Sequence, residues 1–427
     1  MKKIINLIKK IVNNDYVFSV VAKVLGLVIA IVLSVFMARF FGSELKGIIA
    51  VIDNDVSLFS IFLGLGIYQA YPFYRKKEPK IFQTYVNNIS TLFLILEVLA
   101  VAIAVTMISL NLDFYFAIAI LLIPVAAYIK QLNYIVLCEN ARRRNMSSLL
   151  ISSSEIVVLL FLWIAFTANV KTAVAFSCIT YLINLTISFI NLRVNPFKIR
   201  PQLNRILEFA KFGIIPMFVY LCMTINYKID IQMLKWYDNV SYSDIGIYSV
   251  GVSLASKVWL IPDAIKDILL SKLVRGKGED EVAKVIRINF AICLLATVGL
   301  VIFGKPIVQF LYGEEFALVY PVMVLLLVGM LGMIFYKMVY SYNIAQGKRT
   351  INLIFLGTAA GVNVIGNLFL IPFMGIWGAA IMSVASYIVC GICFLVYFHA
   401  KSKIPYRDIL FIKKQDLKTM VGFFKKK

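Results

Sequence analysis

About a dozen apolar stretches follow one another along this chain, and Lys and Arg crowd into every second gap between them. Runs such as Val17–Phe41, Leu92–Leu110, Ile286–Phe303 and Gly375–Phe398 are close to the length, roughly 20 residues, that a helix needs to cross a hydrocarbon core. A composition that is 61% hydrophobic, with a mean hydropathy of +0.88, excludes a soluble globule, whose apolar share is about 45–50%. A β-barrel is disfavoured as well, because barrel strands alternate apolar and polar residues whereas these runs are apolar on all sides. The pattern predicts an all-α polytopic membrane protein of about 12 transmembrane helices.

The spans are expected at 17–41, 46–72, 85–110, 114–137, 147–168, 172–192, 209–234, 245–270, 286–304, 319–344, 351–372 and 375–399. Sorting the loop cations by side places 32 Lys and Arg on one face of the membrane and four (Lys46, Lys171, Lys235, Lys305) on the other. That bias predicts that both termini lie in the cytoplasm and that the number of spans is even. Ile4, Ile5, Ile8, Ile11 and Val12 recur at helical spacing among Lys2, Lys3, Lys9 and Lys10, the pattern of an interfacial amphipathic helix over 1–15. A six-helix bundle over 16–198, a second over 199–400 and a basic cytoplasmic tail over 401–427 complete the expected division.

In this setting the net charge of +21 reflects topology and attraction to anionic membrane lipids, so no nucleic-acid partner is expected. Cys390 and Cys393 form a CxxC inside a span, where thiols pack as small hydrophobes. His399 is the only histidine, and there is no metal-ligand cluster, phosphate-binding glycine loop or nucleophile constellation. No cofactor or catalytic residue is expected. The start shows no small-residue cleavage site before the first span.

The second half echoes the first. YIVLCENARRRNMSSLL around Tyr134 and YSYNIAQGKRTINLIF around Tyr340 each carry a polar span end into a basic turn and a new span. Tyr181 and Tyr387 repeat the 206-residue separation of Tyr134 and Tyr340. Six spans followed by six, both starting inside, make parallel repeats about an axis along the membrane normal.

The stretch ARFFGSELKGIIAVI (Ala38–Ile52) resembles the ARxLGPxxYGxY signature of bacterial polysaccharide flippases, in the multidrug/oligosaccharidyl-lipid/polysaccharide exporter superfamily. The basic start, the twelve spans and the AQGKRT turn after the tenth span are similar to that family too. Ser43 stands where the family usually has Pro, and Lys46-Gly47-Ile48-Ile49 replaces its aromatic-Gly-x-aromatic pattern. The resemblance implies two six-helix bundles forming a V around a central cavity. It also implies translocation of undecaprenyl-diphosphate-linked oligosaccharide for O-antigen, capsule or exopolysaccharide assembly, in the bacterial cytoplasmic membrane. A polysaccharide polymerase and a chain-length regulator would be expected partners.

Ionisable groups at membrane depth cost about 2.5–3.5 kcal/mol each, so they line a cavity or pair together. An anionic diphosphate needs cations deep in the spans, which makes Lys23, Lys257, Lys130, Lys337 and Arg39 candidate cargo contacts. Tyr134 and Tyr340, close to Lys130 and Lys337, suit sugar hydroxyls and C–H faces. Glu97, Asp53, Asp55 and Glu155 are candidates to carry a coupling proton or sodium ion, with structural ion pairing as the alternative role. Pro216 and Pro262 are expected to interrupt the seventh and eighth spans. Two other functions fit the composition: a cation-coupled multidrug exporter of the same fold, which would favour an acid-rich cavity, and a membrane glycosyltransferase or polymerase, which normally needs a large outer loop.

Overall fold

A computed structural model describes residues 15–193, 195, 202–274, 278–413 and 416. The amphipathic start (Asp15 apart) and the last stretch of the basic tail lie outside the described residues. No strand occurs among the described residues, and eleven helices are long and apolar enough to cross a membrane. The first of these, α1 (Asp15–Leu63), contains a non-helical residue, Gly42, at φ 69° and ψ −176°. Only a residue without a Cβ takes that conformation at little cost, so the glycine of the ARFFG stretch divides α1 into two arms. Counting the two arms separately gives twelve candidate crossings among the described residues, close to the number that the apolar pattern predicts.

Two compact units are present, Met1–Leu221 and Cys222–Lys427. In the first unit α1 is followed by a 3₁₀ turn (Ile67–Ala70), the short α2 (Tyr71–Lys77), α3 (Phe82–Ser109), α4 (Phe114–Glu139), α5 (Ala141–Ala165) and α6 (Val170–Leu192). The second span therefore stops at Leu63, short of its expected end at 72. Leu65 (φ 46°) and Gly66 (φ 62°) are left-handed, and the chain turns there although the run stays apolar. A Cβ on Gly66 would lie 2.2 Å from the Gly213 carbonyl oxygen, so bare backbone packs on bare backbone at this bend.

Helix starts follow from local chemistry. The Asp113 carboxylate accepts from the Phe116 N–H at 3.0 Å to open α4, and the Asn140 amide oxygen accepts from the Arg143 N–H at 2.9 Å to open α5. Asn169 and Thr172 form a reciprocal capping box at α6. The core of this unit is aromatic, with Tyr71, Tyr85, Tyr128 and Phe209 fully enclosed. Tyr71 and Arg75 both bond Glu139, Arg75 through Nε at 2.7 Å and Nη2 at 3.1 Å, which ties α2 to the end of α4. Burial and then this carboxylate push the Tyr71 phenol above its ordinary range.

α7 (Leu203–Leu234) runs from the first unit into the second. It stays helical through Pro216, where an interruption was expected. The eighth span does break, but earlier than Pro262: α8 (Tyr242–Ser256) passes into a 3₁₀ turn (Lys257–Trp259), and α9 (Leu260–Val274) follows. Pro262 thus occupies the first turn of α9, where its missing N–H leaves no helical bond unmade. α10 (Glu279–Tyr312), α11 (Val319–Ala345), α12 (Arg349–Met374), α13 (Ile376–Ser402) and α14 (Tyr406–Leu410) complete the unit.

The fourth span is the packed centre of each unit. Fourteen residues of α4 are buried against eight in α3 and four in α5, and seventeen are buried in α11. α11 and α13 approach closely, a Cβ on Gly391 falling 2.3 Å from the Gly332 carbonyl oxygen. Outward residues are large and apolar, Ile164, Phe310 and Phe373 each being more than 80% exposed, which suits a lipid boundary and not water.

Candidate functional site

Both central helices carry a lysine, and each lysine meets an aromatic ring from the 3₁₀ turn of its own unit. In the first unit the Lys130 ammonium lies 5.2 Å from the Tyr68 ring centroid and 3.7 Å from that of Tyr220 on α7. The Tyr68 ring meets Tyr134 edge-on with centroids 5.0 Å apart, and its hydroxyl accepts from Gln69 Nε2 at 3.0 Å. In the second unit the Lys337 ammonium lies 4.7 Å from the Trp259 ring. Trp259 packs in turn on Tyr227 and Tyr387, at 4.9 and 5.7 Å, and its indole N–H donates to the Met330 carbonyl at 2.9 Å. Cation–ring contacts of this kind contribute about 0.5–2 kcal/mol, more as water is excluded.

The repeat read from Tyr134 and Tyr340 therefore extends to side-chain contacts: a second-span break presents a ring to a fourth-span cation, once in each unit. Tyr340 packs against Tyr336, 5.6 Å between centroids. Lys337, 7% exposed, donates to Asp263 Oδ1 at 2.7 Å, and Lys266 meets the same oxygen at 3.0 Å.

The remaining candidates are spread over their units. Lys23 and Arg39 are exposed on the first arm of α1. Lys257 is half-buried in the 3₁₀ turn that also carries Trp259, and it has no ion pair among the described residues. Asp55 is fully buried on the second arm of α1, whereas Asp53 is exposed. Glu97 is half-buried on α3, and its Oε2 has no hydrogen-bond partner among the described residues.

One further acid stands apart from these candidates. Among the described residues every hydrogen-bond partner of Asp230 is neutral. Its carboxylate, 2% exposed, accepts from Tyr248 Oη at 2.8 Å, from Asn367 Nδ2 at 2.7 Å and from Ser383 Oγ. Asn367 also donates to Asn363 at 2.9 Å, and Asn363 to Ser386 at 3.3 Å. Four helices, α7, α8, α12 and α13, thus meet on one buried carboxylate. Sequence reading also missed Tyr68, Tyr220 and Trp259 as ring partners, because nothing local marks them. Among the described residues no group of three or more His, Cys, Asp or Glu is placed to hold a metal.

A family model described as "Polysaccharide biosynthesis protein" matches residues 13–261, which include the ARFFGSELKGIIAVI stretch. No curated protein sequence matches the chain. Among solved structures, the fold is similar to the lipid II flippase MurJ in an inward closed conformation, with a TM-score of 0.71 at 18% identity, covering 96% of this chain and 91% of that one. It is also similar to an inward-facing multidrug resistance MATE family transporter of the MOP superfamily, with a TM-score of 0.66 at 14% identity, over 88% and 94% of the two chains. A MOP superfamily transporter from Pyrococcus furiosus gives a TM-score of 0.56 at 14% identity, over 91% and 96%. At these identities the likeness is one of fold.

Proposed function

This chain belongs to the polysaccharide biosynthesis protein family, and we propose that it carries undecaprenyl-diphosphate-linked oligosaccharide units across the bacterial cytoplasmic membrane by alternating access. The observation that supports this reading best is the lysine set on an aromatic face at the centre of each unit, Lys130 with Tyr68 and Tyr220, and Lys337 with Trp259. A lipid-linked sugar presents two chemistries at once. Its diphosphate needs charge-assisted donors, and its sugar rings need hydroxyl partners and flat aromatic surfaces. Lys23, Arg39 and Lys257 add cations for the diphosphate, while Tyr134 and Tyr340 add phenols for the sugars.

O-antigen, capsule and other exopolysaccharide units all fit this chemistry, with a polymerase and a chain-length regulator acting after release. Both termini are assigned to the cytoplasm on the loop charges. The multidrug-exporter reading has the same fold in its favour, yet cationic cargo would gain nothing from lysines on the two central helices. Purified protein in vesicles loaded with fluorescent lipid-linked oligosaccharide tests the assignment. Labelled sugar should become accessible to an external lectin far faster than in empty vesicles, and Lys23→Ala with Lys257→Ala should abolish the gain. Arg at either position should retain more transport than Ala. Normal translocation by the double Ala variant would sink the assignment.

A further inference from the structure

Lys337 is enclosed, with 8% of its side chain exposed, whereas the Asp263 carboxylate that holds it is 40% exposed. A single oxygen, Asp263 Oδ1, accepts from Lys337 at 2.7 Å and sits 3.0 Å from the Lys266 ammonium. The two cations come from different helices, α11 and α9, and the Trp259 ring lies 4.7 Å from Lys337. Asp263 and Lys266 are each 40% exposed, so a negative group that approaches this corner meets that pair while Lys337 stays enclosed. The three side chains together carry one net positive charge.

We infer that Asp263 is a displaceable internal counter-ion: it occupies Lys337 and Lys266 until a phosphate or diphosphate group takes its place. The inference rests on the diphosphate cargo proposed above and adds a residue that selects for it. A singly charged anion offers the lysines no more charge than Asp263 already does, and it is repelled by that carboxylate as it arrives. A doubly or triply charged phosphate group brings more charge and more acceptor oxygens, so it alone gains by the exchange. Placing a like charge against the wrong ligand is a general route to specificity. Asp263 is suited to swing aside, being part-exposed and in the first turn of α9, just beyond the 3₁₀ break. The Trp259 ring keeps Lys337 in position while the carboxylate leaves.

Tryptophan fluorescence of the full chain in detergent tests this, with Trp163, Trp236 and Trp377 replaced by Phe so that Trp259 alone reports. The probes are a prenyl diphosphate, the monophosphate of the same prenyl chain, a singly charged prenyl carboxylate and inorganic pyrophosphate. The parent should bind the diphosphate at least about tenfold tighter than the carboxylate, with the monophosphate between them. Asp263→Asn should shrink that ratio to about threefold by tightening the carboxylate, and Lys337→Gln should weaken the diphosphate about tenfold. Competition by inorganic pyrophosphate would assign the corner to the phosphate group alone; competition by the prenyl diphosphate only would assign it to a lipid headgroup. Equal affinity of the parent for diphosphate and carboxylate overturns the role of Asp263 whether or not the Asn variant folds. An unchanged ratio in a folded Asn variant overturns it as well. A parent that discriminates by charge while failing to move lipid-linked oligosaccharide would leave Asp263 its role and remove the flippase reading instead.

Discussion

Arg287 of α10 grips Asp416 with two prongs, Nε to Oδ2 at 2.9 Å and Nη2 to Oδ1 at 3.3 Å. The side chains are only 8% and 3% exposed, and Arg287 Nη1 donates as well to the Asp408 carbonyl. The chain beyond α13 is thereby fastened to a helix more than a hundred residues earlier. Breaking one side of a buried pair leaves an uncompensated charge, at about 3–5 kcal/mol. Arg287→Ala should release this segment, so that trypsin cuts at Arg407 and Lys413 in native membranes much faster than in the parent. Arg287→Lys, which keeps the charge but loses the fork, should fall between them. Equal digestion of all three would remove the clasp.

The clasp should also have an acid limit. Burial alone would raise the Asp416 carboxyl, but the hydrogen bonds from Arg287 and from the Lys413 N–H, with the Arg287 charge, hold it below its ordinary range. A carboxyl lowered on folding contributes its full stability above its unfolded value, about 3.9, and loses it as pH falls through the lower folded value. With pepsin or another acid protease, cleavage of the tail should begin to rise only below about pH 4. Asp416→Asn should be open already at neutral pH and show no acid step. An acid step near neutrality would assign the release to a different group.

For Lys130 the ring contacts make a graded series. Tyr68→Phe keeps the ring and should translocate near the parental rate. Tyr68→Leu removes one face and should slow transport several-fold, in line with about 0.5–2 kcal/mol per cation–ring contact. Lys130→Met should lose at least about tenfold, because the cation itself is gone. The measurement is lectin accessibility in vesicles, and a Leu variant as fast as the Phe variant would show that the ring is incidental.

Loop charges make a topological prediction. From the bias of 32 cations against four, Lys76 and Lys277 are expected on the cytoplasmic face. Cysteines introduced there, in a background without reactive native thiols, should resist an impermeant maleimide added to intact cells and react after permeabilisation. Labelling of both in intact cells would reverse the orientation.

Coupling can be divided between two acids. A driving ion must bind the two states of a carrier unequally, since equal affinity shifts no population. Among the described residues Glu97 has an oxygen without a hydrogen-bond partner, and Asp230 is a buried carboxylate held by neutral donors. Neutralising either would change how its helices pack. Glu97→Gln and Asp230→Asn should each be tested for translocation with and without an imposed proton or sodium gradient. Loss of the gradient response in one variant, with basal exchange retained, assigns coupling to that acid. A parental response in both excludes both.

The crossings are legible in the sequence because a hydrocarbon environment penalises every polar residue at every position, so local composition alone carries the signal. The bends inside crossings are not. Ile67, Val258 and Trp259 are as apolar as the helices around them, and no local property shows that Ile67–Ala70 and Lys257–Trp259 are 3₁₀ turns. The cations at Lys130 and Lys337 stand out for the same reason the crossings do, each being a charge in an apolar run. Their ring partners lie on other helices, and residues such as Tyr68, Tyr220 and Trp259 become neighbours only through packing. The partners of Asp230 are hidden in the same way, since the donors that satisfy its carboxylate are 18 to 153 positions away.

Gly42 has a consequence beyond its own turn. A straight helix of 49 residues would measure roughly 75 Å, more than twice the hydrocarbon thickness of about 30 Å. Divided at Gly42, α1 supplies two arms each of a length that can cross once; undivided, the same residues would make one overlong passage. The even parity expected from the loop charges depends on this, because with one crossing fewer that charge bias would no longer put the amino-terminal lysines and the later basic loops on one face. A substitution that straightened Gly42 would therefore be felt at insertion, as a conflict over which way the first segment enters the bilayer, before any cargo was met.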